Sequence, residues 1–214
     1  VVDDLGEDMR VARELMSLGI PLTLSIFPFS TYTQRIAEEA HRRGFEVILH
    51  LPMEPRGYPL KDPGKGALFV SMEEEEIRKR LSEALKSLPH AVGVNNHMGS
   101  RFMEHEDKVE VLLRELKRRG LFFLDSLTTP RSKGYTLARR IHLRVARRDV
   151  FLDNAETVEG FMGQWRDLLE KVRQKGRAIG ICHPYPSTLQ GLKEAVKGLK
   201  GEGIEMVPLS HLVM

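Results

Sequence analysis

The chain has 214 residues, enough for a sizeable core, and it reads as a single domain over residues 1–214. Its formal charge of +3 is spread thinly: Arg42-Arg43, Lys117-Arg118-Arg119 and Arg139-Arg140 fall where helices should end and cations suit the macrodipole, so no nucleic-acid partner is expected. Cys182 is the only cysteine, which excludes an internal disulfide and a cysteine-rich metal site, and no run approaches the roughly 20 apolar residues that would span a bilayer.

Short apolar runs alternate with longer amphipathic stretches, the pattern of repeated βα units around a mostly parallel sheet. In chain order, strands are predicted at Val1 to Asp4, Leu22 to Pro28, Phe45 to Leu51, Ala91 to His97, Leu121 to Ser126, His142 to Ala146, Ala178 to His183 and Ile204 to Leu209. The chain begins in mid-strand at Val1, so a longer apolar lead-in, and with it any export signal, is expected to precede it in the natural protein. Between Glu54 and Val70 the rhythm breaks into a proline- and glycine-rich stretch, expected to be a loop over the rim that shapes a groove and stays out of the core. Gly64-Lys65-Gly66 inside it lacks the Ser/Thr and the following helix of a P-loop. Ser71 with Glu74 reads as a capping box for a helix carrying Ile77, Leu81, Leu85 and Leu88. A later stripe of Val158, Phe161, Trp165, Leu168, Leu169 and Val172 has helical spacing and reads as core packing. Gly44, Gly120, Gly176 and Gly203 fall between a helix and a predicted strand, where a left-handed C-cap is wanted.

The chemistry-bearing residues sit at strand ends. Asp3-Asp4, His50, Asn95-Asn96-His97 and Cys182-His183 each close an apolar run, and strands that stop this way gather their polar groups at one rim of a sheet or barrel. Alternation along a strand puts Ile48 with His50, and Ile179 and Ile181 with His183, so each His prolongs an apolar face to the rim. Cys182 points the other way and is expected to be a buried, inert thiol. Asp4 could cap a helix beginning near Gly6, but two carboxylates leaving a buried strand need a cation or donors to compensate them. One Asp and two neutral His would make a three-ligand Zn²⁺-type site, and the second Asp could then take a proton from the attacking water. His41, His90, His105, His142 and His211 are expected to be surface or packing residues.

Asp3-Asp4-Leu5-Gly6, His50-Leu51-Pro52-Met53-Glu54-Pro55, Gly93-Val94-Asn95-Asn96-His97-Met98-Gly99-Ser100, Phe123-Leu124-Asp125-Ser126, Asp149-Val150-Phe151-Leu152-Asp153 and His183-Pro184-Tyr185-Pro186-Ser187-Thr188 occur in that order. Together they resemble the divergent polysaccharide deacetylases, relatives of the NodB-type carbohydrate esterases, over essentially the whole chain. The resemblance implies an α/β fold, a distorted (β/α)7-type barrel, and a divalent metal, usually zinc. It implies Asp3 as general base, Asp4 as metal ligand, and His183 as the group that protonates the leaving amine or alkoxide. The family's His-x-x-x-His ligand motif is half present, at His50. Either Glu54, four residues on, or His97 from the next strand end completes the ligand set, and His97 is favoured because Glu54 lies among prolines at the mouth of the long loop. The family's Arg-x-Pro-Tyr segment is absent, with Arg101 only a loose substitute. Asn96, Arg101, Glu54, Asp125 and Asp153 are candidates to bind substrate or orient groups, Asp125 and Asp153 in particular to orient His183 or the substrate.

The expected function is metal-dependent removal of an acyl group, such as acetyl, from a carbohydrate, in a periplasmic or secreted setting that the resemblance implies. The rival expectation, supported by the altered ligand motif, is a glycan-binding or envelope scaffold protein that keeps the fold without turnover. A weaker third is hydrolysis of a different amide or of a phosphoester.

Overall fold

The computed structural model describes residues 1–199 and 201–214. In chain order it contains β1 (Val2–Leu5), α1 (Met9–Met16), β2 (Thr23–Ile26), α2 (Thr33–Arg42), β3 (Glu46–Met53), α3 (Glu74–Ser87), β4 (Ala91–Met98), α4 (Glu106–Arg118), β5 (Phe122–Asp125), α5 (Gly134–Arg140), β6 (Val145–Arg147), β7 (Val150–Phe151), α6 (Val158–Lys175), β8 (Gly180–Ile181) and α7 (Pro186–Gly198). Strands β1 to β6 form one parallel sheet in sequence order, and β7 pairs with β8, again in parallel. A parallel bridge between Val2 and Cys182, with Asp3 N–H donating to Cys182 O at 2.8 Å, joins the end of β8 to β1. The strands therefore run round to meet themselves, as a distorted barrel of eight short strands with a break between β6 and β7. Beside that break Val145 exchanges backbone hydrogen bonds with Met214 at the C-terminus.

Two layers of core follow from the period-two pattern. The larger lies between the sheet and the helices; the smaller, Ile48, Phe122, Leu124, Ala146, Ile179, Ile181 and Leu209, fills the inside of the strands. Gly93 makes that filling possible: a Cβ there would sit 2.3 Å from the Phe122 ring. One step further along the inward faces come Asp3, His50, Asn95, Ser126 and His183, so a polar storey stands directly on an apolar one.

Several expectations are corrected here. Ile204 to Leu209 is not a strand; it runs irregularly into a 3-10 turn at Leu209–His211. Both neighbours of β1 are already taken, by β2 and by Cys182, and the segment instead anchors through Leu209 N–H to Thr23 Oγ1 and Ser210 N–H to Glu46. The capping box at Ser71 and Glu74 does not form: α3 starts after Glu73 without a side-chain cap, its first turn carrying Glu74, Glu75 and Glu76 against the macrodipole. Asp4 caps no helix, because Asp8 accepts from Arg10 and Val11 N–H at the start of α1. The stretch from Glu54 to Val70 does contribute to the core. Glu54, Ala67 and Leu68 are buried, Leu68 bridges Met53, and only the middle, Arg56 to Lys65 apart from buried Pro63, is a free rim. Among the described residues, no helix is long and apolar enough to cross a membrane.

Candidate metal centre and active site

Asn95, fully buried at the centre of the polar storey, decides the chemistry around it. Its Nδ2 donates to Asp3 Oδ1 at 2.9 Å and to Ser126 Oγ at 3.3 Å. Its Oδ1 must then accept, and it does so from Ser25 Oγ and from His50 Nδ1, both at 2.8 Å. With its proton on Nδ1, neutral His50 aims a bare Nε2 lone pair across the site.

That lone pair meets two further atoms able to bind a cation. His50 Nε2 lies 2.9 Å from Asp4 Oδ1 and 3.1 Å from His97 Nδ1, and His97 Nδ1 lies 3.1 Å from Asp4 Oδ1. Three ligand atoms held about 2.1 Å from a common ion, at angles of about 90–100°, are about 3.0–3.2 Å apart, so the triangle has the right size for a divalent cation. Asp4 Oδ1 is buried without a hydrogen-bond donor, the one such side-chain atom among the described residues. A cluster of acceptors of this kind is costly unless a cation lies among them. The residues present fit a metal, and they are the set Asp4, His50 and His97.

Adjacent strand residues point to opposite faces, so Asp3 and Asp4 can share a site only if the backbone turns between them. It does: β1 is irregular there and Asp4 has φ +56°, a left-handed conformation uncommon outside glycine that swings its carboxylate back over the rim. Burial opposes charge on His50, but Asp3, Asp4 and Asn95 outweigh it and push its pKa up. Burial and the neighbouring His50 hold His97 down in spite of Asp4. Asp4, although burial works against its ionised form, is pulled well below the usual carboxylate range by both imidazoles. Phe27, just past β2, sets its ring against His50 at 4.9 Å and His97 at 4.7 Å between centroids, walling the triad on one side.

Across the site, His183 Nδ1 stands 3.0 Å from Asp153 Oδ1. Asp153 is itself fixed, its Oδ2 accepting from His183 N–H and, at 3.0 Å, from Thr188 Oγ1. Burial disfavours the imidazolium, yet the bond and charge of Asp153, helped by Asp4 and Asp3, raise the His183 pKa to about 9. The ring is backed by Phe151 at 5.9 Å and flanked by Tyr185 at 5.7 Å.

The other expected site residues have structural posts. Glu54, buried, accepts from Val70 N–H and pairs with Arg101 at 2.9 Å, and its carbonyl takes Arg101 and Phe102 N–H; the two residues clasp the long loop to the end of β4. Asn96 takes Ser126 N–H and donates to Met98 O and Thr128 Oγ1, knitting β4 to the β5 exit. Asp125 does not orient His183: it accepts from Leu127 N–H, Ser132 Oγ and Tyr135 N–H, and pins the loop into α5. Cys182 is buried, and desolvation pushes its thiol up to about 12, so it is inert as expected.

Asn95, Ser25 and Phe27 were missed as functional neighbours, although the inward alternation that selects His50 also selects Asn95. Arg148 was missed as well. Its guanidinium lies 3.7 Å from the Phe151 ring centroid and donates to Ser126 O at 2.8 Å and Leu127 O at 3.1 Å. It brings a half-buried cation to the β5 exit beside Ser126, and in the sequence nothing sets it apart from Arg144 or Arg147.

The family model of the divergent polysaccharide deacetylases matches residues 1–213. The chain belongs to that family. An uncharacterized protein of Escherichia coli K12, YibQ, is 31% identical over 214 residues; the alignment covers all of this chain and 66% of YibQ, so the chain spans just under two thirds of this relative. The crystal structure of an uncharacterized protein from Agrobacterium tumefaciens C58 superposes with a TM-score of 0.94 at 28% identity, over 99% of this chain and 87% of that one. The catalytic domain of a peptidoglycan N-acetylglucosamine deacetylase from Eubacterium rectale shares the fold, with a TM-score of 0.58 at 14% identity, over 97% and 84% of the two chains.

Proposed function

We propose that this divergent polysaccharide deacetylase is an active, metal-dependent hydrolase that removes acyl groups, acetyl in the first instance, from a carbohydrate. The observation that carries the reading is the meeting of three ligand-capable atoms of Asp4, His50 and His97, with Asn95 accepting from His50 Nδ1, between the Asp3 carboxylate and the His183 imidazole. A divalent ion, zinc being the choice that suits one oxygen and two nitrogen ligands, would supply Lewis-acid polarisation of the acyl carbonyl and of the attacking water.

The residues of the chain do the rest. Asp3, tied by Asn95 through one oxygen, keeps the other to accept the proton that the attacking water gives up. His183, held charged and oriented by Asp153, donates a proton to the departing amine or alkoxide. Phe27 keeps bulk water away from the His50 and His97 side. From an acylated polysaccharide substrate we infer a setting outside the cytoplasm, which fractionation of expressing cells checks.

The test is acetate release from a panel of N- and O-acetylated oligosaccharides by protein loaded with zinc, cobalt or nickel. Asp3→Asn is expected to keep fold and metal but to lose about 10²- to 10⁴-fold in rate. Full activity in that variant overturns the mechanism. A loaded wild-type protein that binds acetylated glycans and releases no acetate establishes the scaffold reading instead.

A further inference from the structure

We propose that Phe29 and the cavity beside it form a second sugar-binding subsite, which holds another unit of the glycan chain whose acylated unit sits at the triad. The inference rests on the reading of the protein as one that takes a glycan.

The loop after β2 presents two aromatic rings for two different purposes. Phe27 packs on His50 and His97. Two residues on, Phe29 has φ +59° and remains 39% exposed. A left-handed conformation is unfavourable for an ordinary L-residue, and here it holds a ring that stays partly exposed. The loop is nonetheless held firmly: Thr33 Oγ1 donates to Phe27 O at 2.7 Å and accepts from Ser30 N–H at 2.9 Å, while Tyr32 N–H donates to Gly6 O at 2.8 Å. An exposed aromatic ring held rigidly in a strained conformation is a platform.

The long rim loop is shaped to meet it. Gly66, at φ +77°, lies against the ring so closely that a Cβ would come within 2.6 Å of Phe29 Cε2. Next to the contact opens a cavity of about 360 Å³ lined by Phe29, Gly66, Glu76, Lys79, Arg80 and Glu83. Two acids and two bases offer donors and acceptors without a net charge, and Glu76 is already paired with Arg80 at 3.1 Å. A phosphate or polyanion finds no excess of cations here, and an aliphatic ligand finds too many charged groups. A neutral sugar fits both parts: its C–H face lies on the ring, and its hydroxyls reach the charged rim. Binding energy gathered away from the reacting atoms can be used to position the acyl group.

The experiment uses β-1,4-linked N-acetylglucosamine oligomers from the disaccharide to the hexamer, with wild-type, Phe29→Ala, Phe29→Tyr and Gly66→Ala proteins loaded with zinc. The expected result is a wild-type KM that falls as the oligomer lengthens, and a Phe29→Ala protein in which this dependence flattens, KM for the longer oligomers rising about five- to tenfold. Phe29→Tyr restores the dependence, and Gly66→Ala, by displacing the ring, reproduces its loss. If Phe29→Ala keeps the wild-type dependence on length, the subsite is overturned while the deacylase reading stands. If wild type releases no acetate, calorimetric titration with the hexamer decides separately. Hexamer binding weakened by Phe29→Ala supports the subsite against a failed catalytic reading, whereas hexamer binding that ignores the substitution, or no hexamer binding at all, overturns it.

Discussion

His50 and His183 each extend an inward face one step beyond the apolar layer, and each is backed through Nδ1 by an acceptor, yet the acceptors differ in kind. Behind His50 stands the amide oxygen of Asn95; behind His183 stands the carboxylate of Asp153. The amide oxygen accepts a hydrogen bond from Nδ1–H and leaves Nε2 free for the ligand role proposed above, while the carboxylate favours the doubly protonated ring, as the proposed proton donor needs. On the proposed mechanism one residue type thus receives two tasks from its backing partner, and the partner is invisible in the local sequence around either His.

The comparison can be broken from either side, and the largest effect is expected at the bare lone pair. His50→Ala removes one ligand of three and should reduce bound zinc by more than the roughly 10- to 100-fold typical of changes behind a ligand, with activity falling in step; elemental analysis after dialysis measures it. Undiminished zinc would reject Asp4, His50 and His97 as the ligand set. On the other side, His183→Ala should retain zinc and lose about 10²- to 10⁴-fold in rate, seen as acetate release under saturating substrate.

Smaller changes sharpen the contrast. Asn95→Ala frees the His50 tautomer and should weaken zinc binding by about 10- to 100-fold while leaving the His183 limb of the pH profile in place, as a competition titration with a chelator would show. Asp153→Asn should instead leave zinc bound and move the alkaline limb of kcat/KM to lower pH. The sign follows from the raised pKa: wild-type His183 stays protonated up to about 9, and without the carboxylate it gives up its proton sooner. The same pair should mark stability. A folded-state pKa above the unfolded value near 6.5 contributes fully below that value and is lost as pH rises through about 9, so Asp153→Asn should lower the urea midpoint more at pH 6 than at pH 10. An equal loss at both pH values would mean that Asp153 acts only through Thr188 and the backbone.

Much of the site was legible because it depends on short-range alternation. Once Ile48 is inside, His50 is inside, and the same holds for Ile181 with His183 and for Gly93 with Asn95. The preference for His97 over Glu54 rests in the sequence on the prolines around Glu54, and the register adds a reason. Parallel pairing sets His50 beside Asn95 and Pro52 beside His97, which brings the His97 ring over His50, whereas Glu54 turns away to hold Val70 and Arg101. Strand β7, two residues long, is too short for any periodicity to reveal. Ile204 to Leu209 has a strand's composition, but no strand edge is left for it beside β1.

What the sequence by itself determined is therefore the parallel α/β architecture, the rim that carries the chemistry and the kinds of group gathered there, all consequences of burial repeating every second residue. Tertiary structure alone decided how those groups act. The left-handed turn at Asp4, the orientation of Asn95 and the arrival of Arg148 and Phe29 each depend on segments distant in the chain pressing on one another. A hydrogen-bond partner or a strained dihedral is fixed by such packing, and no local pattern of residues encodes it.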